Sequence, residues 1–159
     1  MYRLAALGSL VLGLSGCGFQ LQGALTIPTG MERTYIAADD ENRVFYRRLR
    51  EQLAANGVEL VDVPDASAAT LTIHVDDTDQ RVLSVSARNV PTEYEVYYSI
   101  EYSVARVGEV LQPRQFLTRT RDYTYDEDLV LGKAREEQLL RDSLADDLVR
   151  IVLKQLDSI

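Results

Sequence analysis

The segment from Tyr94 to Val104 alternates apolar and polar residues, with Tyr97 as the one aromatic residue among the polar positions. Successive side chains of a β-strand point to opposite faces of the sheet, so this alternation predicts a strand with one apolar and one polar face. The apolar face would carry Tyr94, Val96, Tyr98, Ile100, Tyr102 and Val104. We expect the tyrosine side chains to pack on the sheet, since aromatic side chains fit a pleated surface. The alternative is that they form an amphipathic surface that contacts a partner. The pattern requires a sheet that is covered on one face and exposed to water on the other.

Two helices and further strands are predicted around this segment. Apolar residues recur every three or four positions over Glu41–Asn56 and Glu136–Asp157, which is the spacing of amphipathic helices. Extended segments are expected over Arg33–Ala38, over Thr70–Val75 with a continuation at Val82–Ala87 after the polar residues Asp76–Gln80, and over Arg114–Tyr125. The order of strand, helix, several strands and helix predicts an α+β fold in which the helices cover one face of the sheet. The bare face, or an unpaired edge strand, would then be available to a partner.

The amino-terminal segment has the pattern of a bacterial lipoprotein signal. One basic residue, Arg3, precedes an apolar run from Leu4 to Gly16, which is shorter than the roughly 20 residues that a membrane-spanning helix requires. The run ends in Leu-Ser-Gly-Cys at Cys17, the only cysteine, and resembles the lipobox, whose cysteine sulfur receives a diacylglyceryl group. We therefore predict a signal peptide over residues 1–16 and lipidation of Cys17, which would anchor the protein in a membrane. The alternative is a free thiol, buried or reactive.

The rest of the chain is long enough to form one domain. Residues 17–30 contain several glycines and a proline, which predicts a lipidated tether, and residues 31–159 are expected to form a single domain. The formal net charge of the whole chain is −8, and Arg3 is the only charged residue of the predicted signal peptide. The remaining chain is therefore still more acidic, and it has no block of basic residues. This argues against a nucleic acid as the partner.

The sequence lacks the residue patterns of common catalytic and metal sites. His74 is the only histidine, and its place in the alternation puts it on the polar face of a strand, with no nucleophile in a recognisable context. The aspartates of Asp76–Asp79 lack the glycine and the distal glutamate of a calcium loop. A single cysteine cannot provide zinc spacing, and no glycine-rich phosphate loop is present. We therefore predict that the protein is not an enzyme and holds no metal or cofactor.

Four stretches of the sequence occur in the order found in one known protein family. They are Cys17–Gly23 directly after the lipobox, Leu49–Leu60, Thr92–Tyr94 at the start of the long strand, and Leu131–Gln138. Together they resemble the LptE family of lipopolysaccharide-assembly lipoproteins, and the resemblance covers nearly the whole chain. It implies two helices packed on one face of a mixed, roughly four-stranded sheet, in a palmitoylated protein of Gram-negative bacteria. Gly18, rather than aspartate, after the cysteine favours the outer membrane.

The resemblance also implies a function and partners. Members of the family plug, and help to assemble, a very large outer-membrane β-barrel, LptD, in a one-to-one complex, and they bind lipopolysaccharide during its delivery to the outer leaflet. The domain would lie inside the barrel lumen or face the periplasm. Two other functions remain open. One is an accessory lipoprotein of the general β-barrel assembly machinery, and the other is a small periplasmic hydrolase, which the absence of a nucleophile–base pair disfavours.

Two basic residues match the positions at which the family contacts lipopolysaccharide. They are Arg88, in the turn before the long strand, and Lys133, in the loop before the last helix. Arginine and lysine suit this role because lipid A carries phosphate groups, which accept charge-assisted hydrogen bonds from both side chains. We expect the two residues to converge at one end of the sheet and to bind these phosphates; the alternative is that they are ordinary surface charges.

Overall fold

The computed structural model describes residues 27–126 and 130–159. Within these ranges the chain forms five strands and two helices. The strands are β1 (Arg33–Ala37), β2 (Glu59–Val61), β3 (Ala69–Val85), β4 (Pro91–Arg106) and β5 (Glu109–Thr124), and the helices are α1 (Val44–Ala55) and α2 (Val130–Leu156). The α+β fold class predicted from the sequence is confirmed. The predicted signal peptide, Cys17 and most of the tether lie outside the described residues.

The strands form one mixed sheet in the order β2-β1-β3-β4-β5. Strand β1 pairs in parallel with β2 and β3, whereas β3, β4 and β5 form an antiparallel meander. The sequence does not predict β2, because its 3 residues are too few to show an alternation. It forms because its residues pair with Arg33–Tyr35 of β1. The sheet of the described residues therefore has five strands rather than four.

Both helices pack on the apolar face of the sheet. Strand β4 lies in the core, where the following predicted apolar residues are buried: Val96, Tyr98, Ile100, Tyr102 and Val104. The helices bury their own apolar repeats against it, namely Phe45, Leu49 and Leu53 from α1 and Leu144, Leu148 and Val152 from α2. Burying a side chain of this size stabilises a fold by about 1.5–3 kcal/mol. The alternation that predicts the long strand thus also predicts which of its faces meets the helices.

Strand β3 is continuous from Ala69 to Val85, where the sequence predicts a strand with a polar interruption at Asp76–Gln80. The register with β4 shifts between Ile73 and Val75, as it does where a strand contains a bulge. Beyond this shift Asp76 lies opposite Ile100, so it shares the helix-covered face with that buried residue. The polar residues that interrupt the apolar alternation are therefore part of the strand.

Helix α2 is longer than predicted at its amino-terminal end. It begins at Val130 rather than Glu136, so Lys133 lies in the first turn of the helix and not in the loop before it. Gly132 weakens the helical pattern at this start, because glycine is a poor helix former. Neither of the helices that the structure describes is both long and apolar enough to span a membrane.

Two other elements also differ from their predicted bounds. Helix α1 begins at Val44 rather than Glu41, because the carboxylate of Asp40 accepts the backbone N–H two residues on and forms a turn there. Strand β5 begins at Glu109, before its predicted start. Pro113 lies within it and is tolerated because β5 is an edge strand.

Candidate functional site

One end of the sheet brings together the β3–β4 turn, the end of β5 and the start of α2. The end of β5 reaches this turn because Thr124 pairs with Glu93, and because the Tyr125 N–H donates to the Thr92 carbonyl at 2.8 Å. We call this region the hairpin end and define it by the residues Ser86–Val90, Thr92–Tyr94, Tyr123–Tyr125 and Gly132–Glu136. Both basic residues indicated by the sequence lie in it.

Arg88 lies in the β3–β4 turn. The turn is closed by two backbone hydrogen bonds, from Ser86 N–H to the Val90 carbonyl at 2.7 Å and from Asn89 N–H to the Ser86 carbonyl at 2.9 Å. Asn89 has a φ of 59°, in the left-handed region that asparagine adopts more readily than most residues. The Arg88 side chain is exposed and forms no hydrogen bond or ion pair with the residues that the structure describes. Its guanidinium is therefore available to a ligand.

Lys133 is in a different setting, because its ammonium is already paired. Its Nζ lies 2.8 Å from a carboxylate oxygen of Glu136 and 6.0 Å from the centre of the Tyr123 ring. The lysine side chain is 18% exposed, whereas that of Glu136 is 45% exposed. The ring quadrupole attracts the cation, and Glu136 offsets the unfavourable position of a lysine at the positive end of the α2 dipole. The ammonium is thus held against the sheet.

Three tyrosines form the surface beneath Lys133. Tyr94 stacks on Tyr123 with ring centres 5.7 Å apart and meets Tyr125 edge-on at 5.4 Å. The Tyr123 hydroxyl donates to Oε1 of Gln80 at 2.7 Å, which fixes the ring against β3. Burial is the largest of the causes that raise the pKa of the Tyr123 hydroxyl. The hydroxyl therefore stays protonated at neutral pH, and the aromatic surface carries no charge of its own.

Arg141, another basic residue of α2, is held by hydrogen bonds within the protein. Its guanidinium donates to Thr78 Oγ1 at 3.0 Å and to a carboxylate oxygen of Glu137 at 2.9 Å. These bonds join α2 to β3 and give Glu137 a cationic partner. Arg141 therefore differs from Arg88, whose donors are free within the described part of the chain.

The residues considered for catalysis or metal binding lie away from the hairpin end. His74 Nε2 is 2.8 Å from Ser103 Oγ, on the face of the sheet that the helices leave uncovered. Asp76 accepts a hydrogen bond of 2.7 Å from the Tyr98 hydroxyl, and burial raises the pKa of its carboxyl group. In residues 27–126 and 130–159, no three histidine, cysteine, aspartate or glutamate side chains are grouped so that they could hold a metal ion.

The resemblance to the LptE family indicates both basic residues of the hairpin end, but it does not indicate the groups that hold Lys133. Lys133 and Glu136 are three residues apart, which is the spacing of neighbours on a helix. The pair was not predicted because the predicted helix begins at Glu136 and leaves Lys133 in the loop before it. The contact with Tyr123 depends on how α2 lies across the sheet, which no local pattern gives. A role in ligand binding for Arg88 and Lys133 stays a prediction. So does the lipidation of Cys17, which lies outside the described residues.

Comparisons with known proteins place this fold among lipoproteins. Residues 31–156 match the family model described as LptE, lipopolysaccharide-assembly. The LPS-assembly lipoprotein LptE of Yersinia pestis (strain Pestoides F) is 29% identical over 155 residues, which cover 94% of this chain and 72% of that protein. Among solved structures, rare lipoprotein B from Shewanella oneidensis has a TM-score of 0.69 and 27% identity, covering 79% of this chain and 94% of that one. Lipoprotein B from Nitrosomonas europaea has a TM-score of 0.73 and 25% identity, covering 89% and 91% respectively.

Proposed function

We propose a function from the premise that the chain belongs to the LptE family of lipopolysaccharide-assembly proteins. The protein plugs, and helps to assemble, an LptD-type outer-membrane β-barrel in a one-to-one complex. It also binds lipopolysaccharide during delivery to the outer leaflet, and it acts as a binding protein rather than an enzyme. The match of residues 31–156 carries this function, because it spans the whole sheet, both helices and the hairpin end.

Lipopolysaccharide binds at the hairpin end through its phosphates. Arg88 presents an exposed guanidinium, whose planar N–H groups can donate two parallel hydrogen bonds to one phosphate. Lys133 adds a point charge on a neighbouring element. The formal charge of −8 repels an anionic ligand at long range. Screening over about 8 Å at physiological salt nevertheless leaves the local charges dominant at contact distance.

The polar face of the sheet supports contact with a barrel lumen. The helices leave this face uncovered, and ion pairs join its neighbouring strands, Arg81 with Glu95 and Arg114 with Glu101. The interior of an outer-membrane barrel is polar. These two pairs let four charged side chains lie against such a lumen without leaving any of the four both desolvated and unpaired.

Cys17 attaches the protein to the outer membrane, so that the domain lies inside the barrel lumen or faces the periplasm. One acyl chain anchors a protein only marginally, whereas several chains together hold it firmly. Mass spectrometry of the protein from native membranes should therefore show an acylated amino-terminal peptide that begins at Cys17. A bare thiol would contradict the anchor.

The barrel partner is tested by affinity purification of the full chain from detergent-solubilised outer membranes. A single dominant and very large barrel protein, in equal amount, is the expected result. Recovery of a complex of several lipoproteins with the general barrel-assembly machinery would contradict the proposed partner and support the accessory function instead.

The ligand site is tested by reversing both charges, with Arg88→Glu and Lys133→Glu in one chain. Lipopolysaccharide affinity should fall roughly tenfold or more, because two charge-assisted contacts become repulsive. The matched control is Arg47→Glu with Lys154→Glu, which reverses an exposed arginine and an exposed lysine outside the hairpin end. An equal loss in both double variants would show that only total charge matters. Normal binding by the first would exclude the site.

A further inference from the structure

Lys133 has an anionic partner within its own helix. The Glu136 carboxylate lies 2.8 Å from the Lys133 ammonium at i,i+3 spacing along α2. The pair is formally neutral, so a phosphate that approaches Lys133 meets a carboxylate as well as an ammonium. Like charges repel each other at this range. A phosphate therefore gains the full attraction of Lys133 only if Glu136 turns away.

The exposures of the two side chains indicate which of them moves. Glu136 is 45% exposed and can rotate into water, whereas Lys133 is 18% exposed and lies over the Tyr123 ring. The adjacent acidic residue, Glu137, differs because the Arg141 guanidinium holds it. Once Glu136 has turned away, the positive end of the α2 dipole also favours an anion near Lys133.

We propose that Glu136 is an internal competitor for the lipopolysaccharide phosphate at Lys133, which limits the affinity of the hairpin end and speeds release of the ligand. The inference rests on the proposed function, because it requires Lys133 to contact the phosphate. A protein that passes its ligand onward must also let it go. Glu136 provides the ammonium with a new partner as the phosphate departs, so the partly buried charge is not left unpaired.

Glu136→Gln tests the competitor, because glutamine keeps the shape of the side chain and removes its charge. The full chain, purified in detergent from membranes, is titrated with lipopolysaccharide. The variant should bind roughly threefold more tightly, chiefly through slower dissociation, as expected for the loss of a partly exposed ion pair. The matched control is Glu109→Gln, which breaks an i,i+3 pair of 3.1 Å with Arg106 at the opposite end of the sheet. It should leave the affinity unchanged.

Two further measurements assign the gain to Lys133 and to phosphate. In a Lys133→Met background, Glu136→Gln should have no effect, because the partner for which the carboxylate competes is absent. With dephosphorylated lipopolysaccharide, the gain from Glu136→Gln should also disappear. A gain that persists in either measurement would overturn the proposal, since the carboxylate would then act through the general charge of the surface.

The outcomes separate this proposal from the proposed function. If reversing Arg88 and Lys133 abolishes binding while Glu136→Gln leaves the affinity unchanged, only the competitor role is wrong. Weaker binding by Glu136→Gln would mean that Glu136 positions Lys133 for the ligand, which also overturns the competitor role. Normal binding after reversal of both basic residues would remove the site itself. Thermal unfolding of every variant shows whether a change in affinity reflects a loss of the fold.

Discussion

The hydroxyl of Tyr98 donates a hydrogen bond of 2.7 Å to the carboxylate of Asp76. The same hydroxyl accepts a hydrogen bond of 3.4 Å from the backbone N–H of Phe45, in the first turn of α1. No side chain caps the start of this helix, so Tyr98 gives one of its free amides an acceptor. Within the described residues, the second carboxylate oxygen of Asp76 is buried and has no hydrogen-bond partner. Ionisation of Asp76 in the folded protein is therefore unfavourable, because one of the two oxygens that would share the charge is shielded from water and has no hydrogen-bond donor in the described part of the chain.

Asp76→Asn should flatten the pH dependence of folding. Burial raises the pKa of Asp76 above its ordinary value of 3.8. The stability that this group contributes is therefore fully present below pH 3.8 and is lost as the pH rises through the raised pKa. Asparagine keeps an acceptor for Tyr98 and carries no charge, so this loss should be absent from the variant.

The measurement is the free energy of unfolding in urea, taken between about pH 4 and pH 7. Asp39→Asn, at an exposed residue of the loop before α1, serves as the control and should follow the native protein. If the Asp76 variant follows the native protein as well, the buried carboxylate has no part in the pH dependence.

Tyr98→Phe should destabilise the fold more than Tyr102→Phe. The first change leaves the Asp76 carboxylate and the Phe45 amide without their partner, and buried groups left unsatisfied cost about 1–3 kcal/mol, or more when charged. The Tyr102 hydroxyl donates to Oε1 of Gln155 at 2.7 Å, and this half-buried neutral amide can turn to water. Urea unfolding at neutral pH compares the two variants, and equal losses would contradict the role given to Asp76.

The long strand and its buried face could be predicted because they follow from one local alternation. Every side chain between Val96 and Val104 obeys the same period, so no knowledge of neighbouring strands is needed. Strand β2 and the bulge of β3 are different, since both depend on a partner. The 3 residues of β2 become a strand only beside β1, and the register shift after Ile73 is defined only against β4.

The candidate site was predictable only in part, for a similar reason. Resemblance to a family indicates Arg88 and Lys133, and turn-prone sequence agrees with the exposure of Arg88. The surroundings of Lys133 depend on tertiary structure, because Tyr123 meets Tyr94 through the pairing of β4 with β5. The pairing of Lys133 with Glu136 depends on where α2 begins, and Gly132 weakens the sequence pattern that would predict this start. Lys133, predicted from the resemblance to bind phosphate, is therefore already paired with a carboxylate of its own helix.

Leu148→Ala should destabilise the fold by about 2–5 kcal/mol, because truncation of a fully buried side chain leaves a cavity. Leu148 is 0% exposed in the core beneath α2. Leu131→Ala is the matched control on the same helix, since Leu131 is 89% exposed, and it should change the stability by less than about 0.5 kcal/mol. Urea unfolding measures both, and similar effects of the two changes would mean that α2 does not pack on the sheet as described.

Gly132→Ala should stabilise the protein by about 0.4–1 kcal/mol, because alanine restricts the unfolded chain and is the better helix former. Gly132 lies in the first turn of α2, its φ is not in the left-handed region, and an added Cβ would meet no atom within 4 Å. Gly57→Ala has equally open space, but Gly57 has a φ of +90°, a conformation that alanine rarely adopts. This second change should therefore destabilise the protein by roughly 1 kcal/mol or more. Thermal unfolding distinguishes the two, and a midpoint lowered by Gly132→Ala would contradict a regular helix at Lys133.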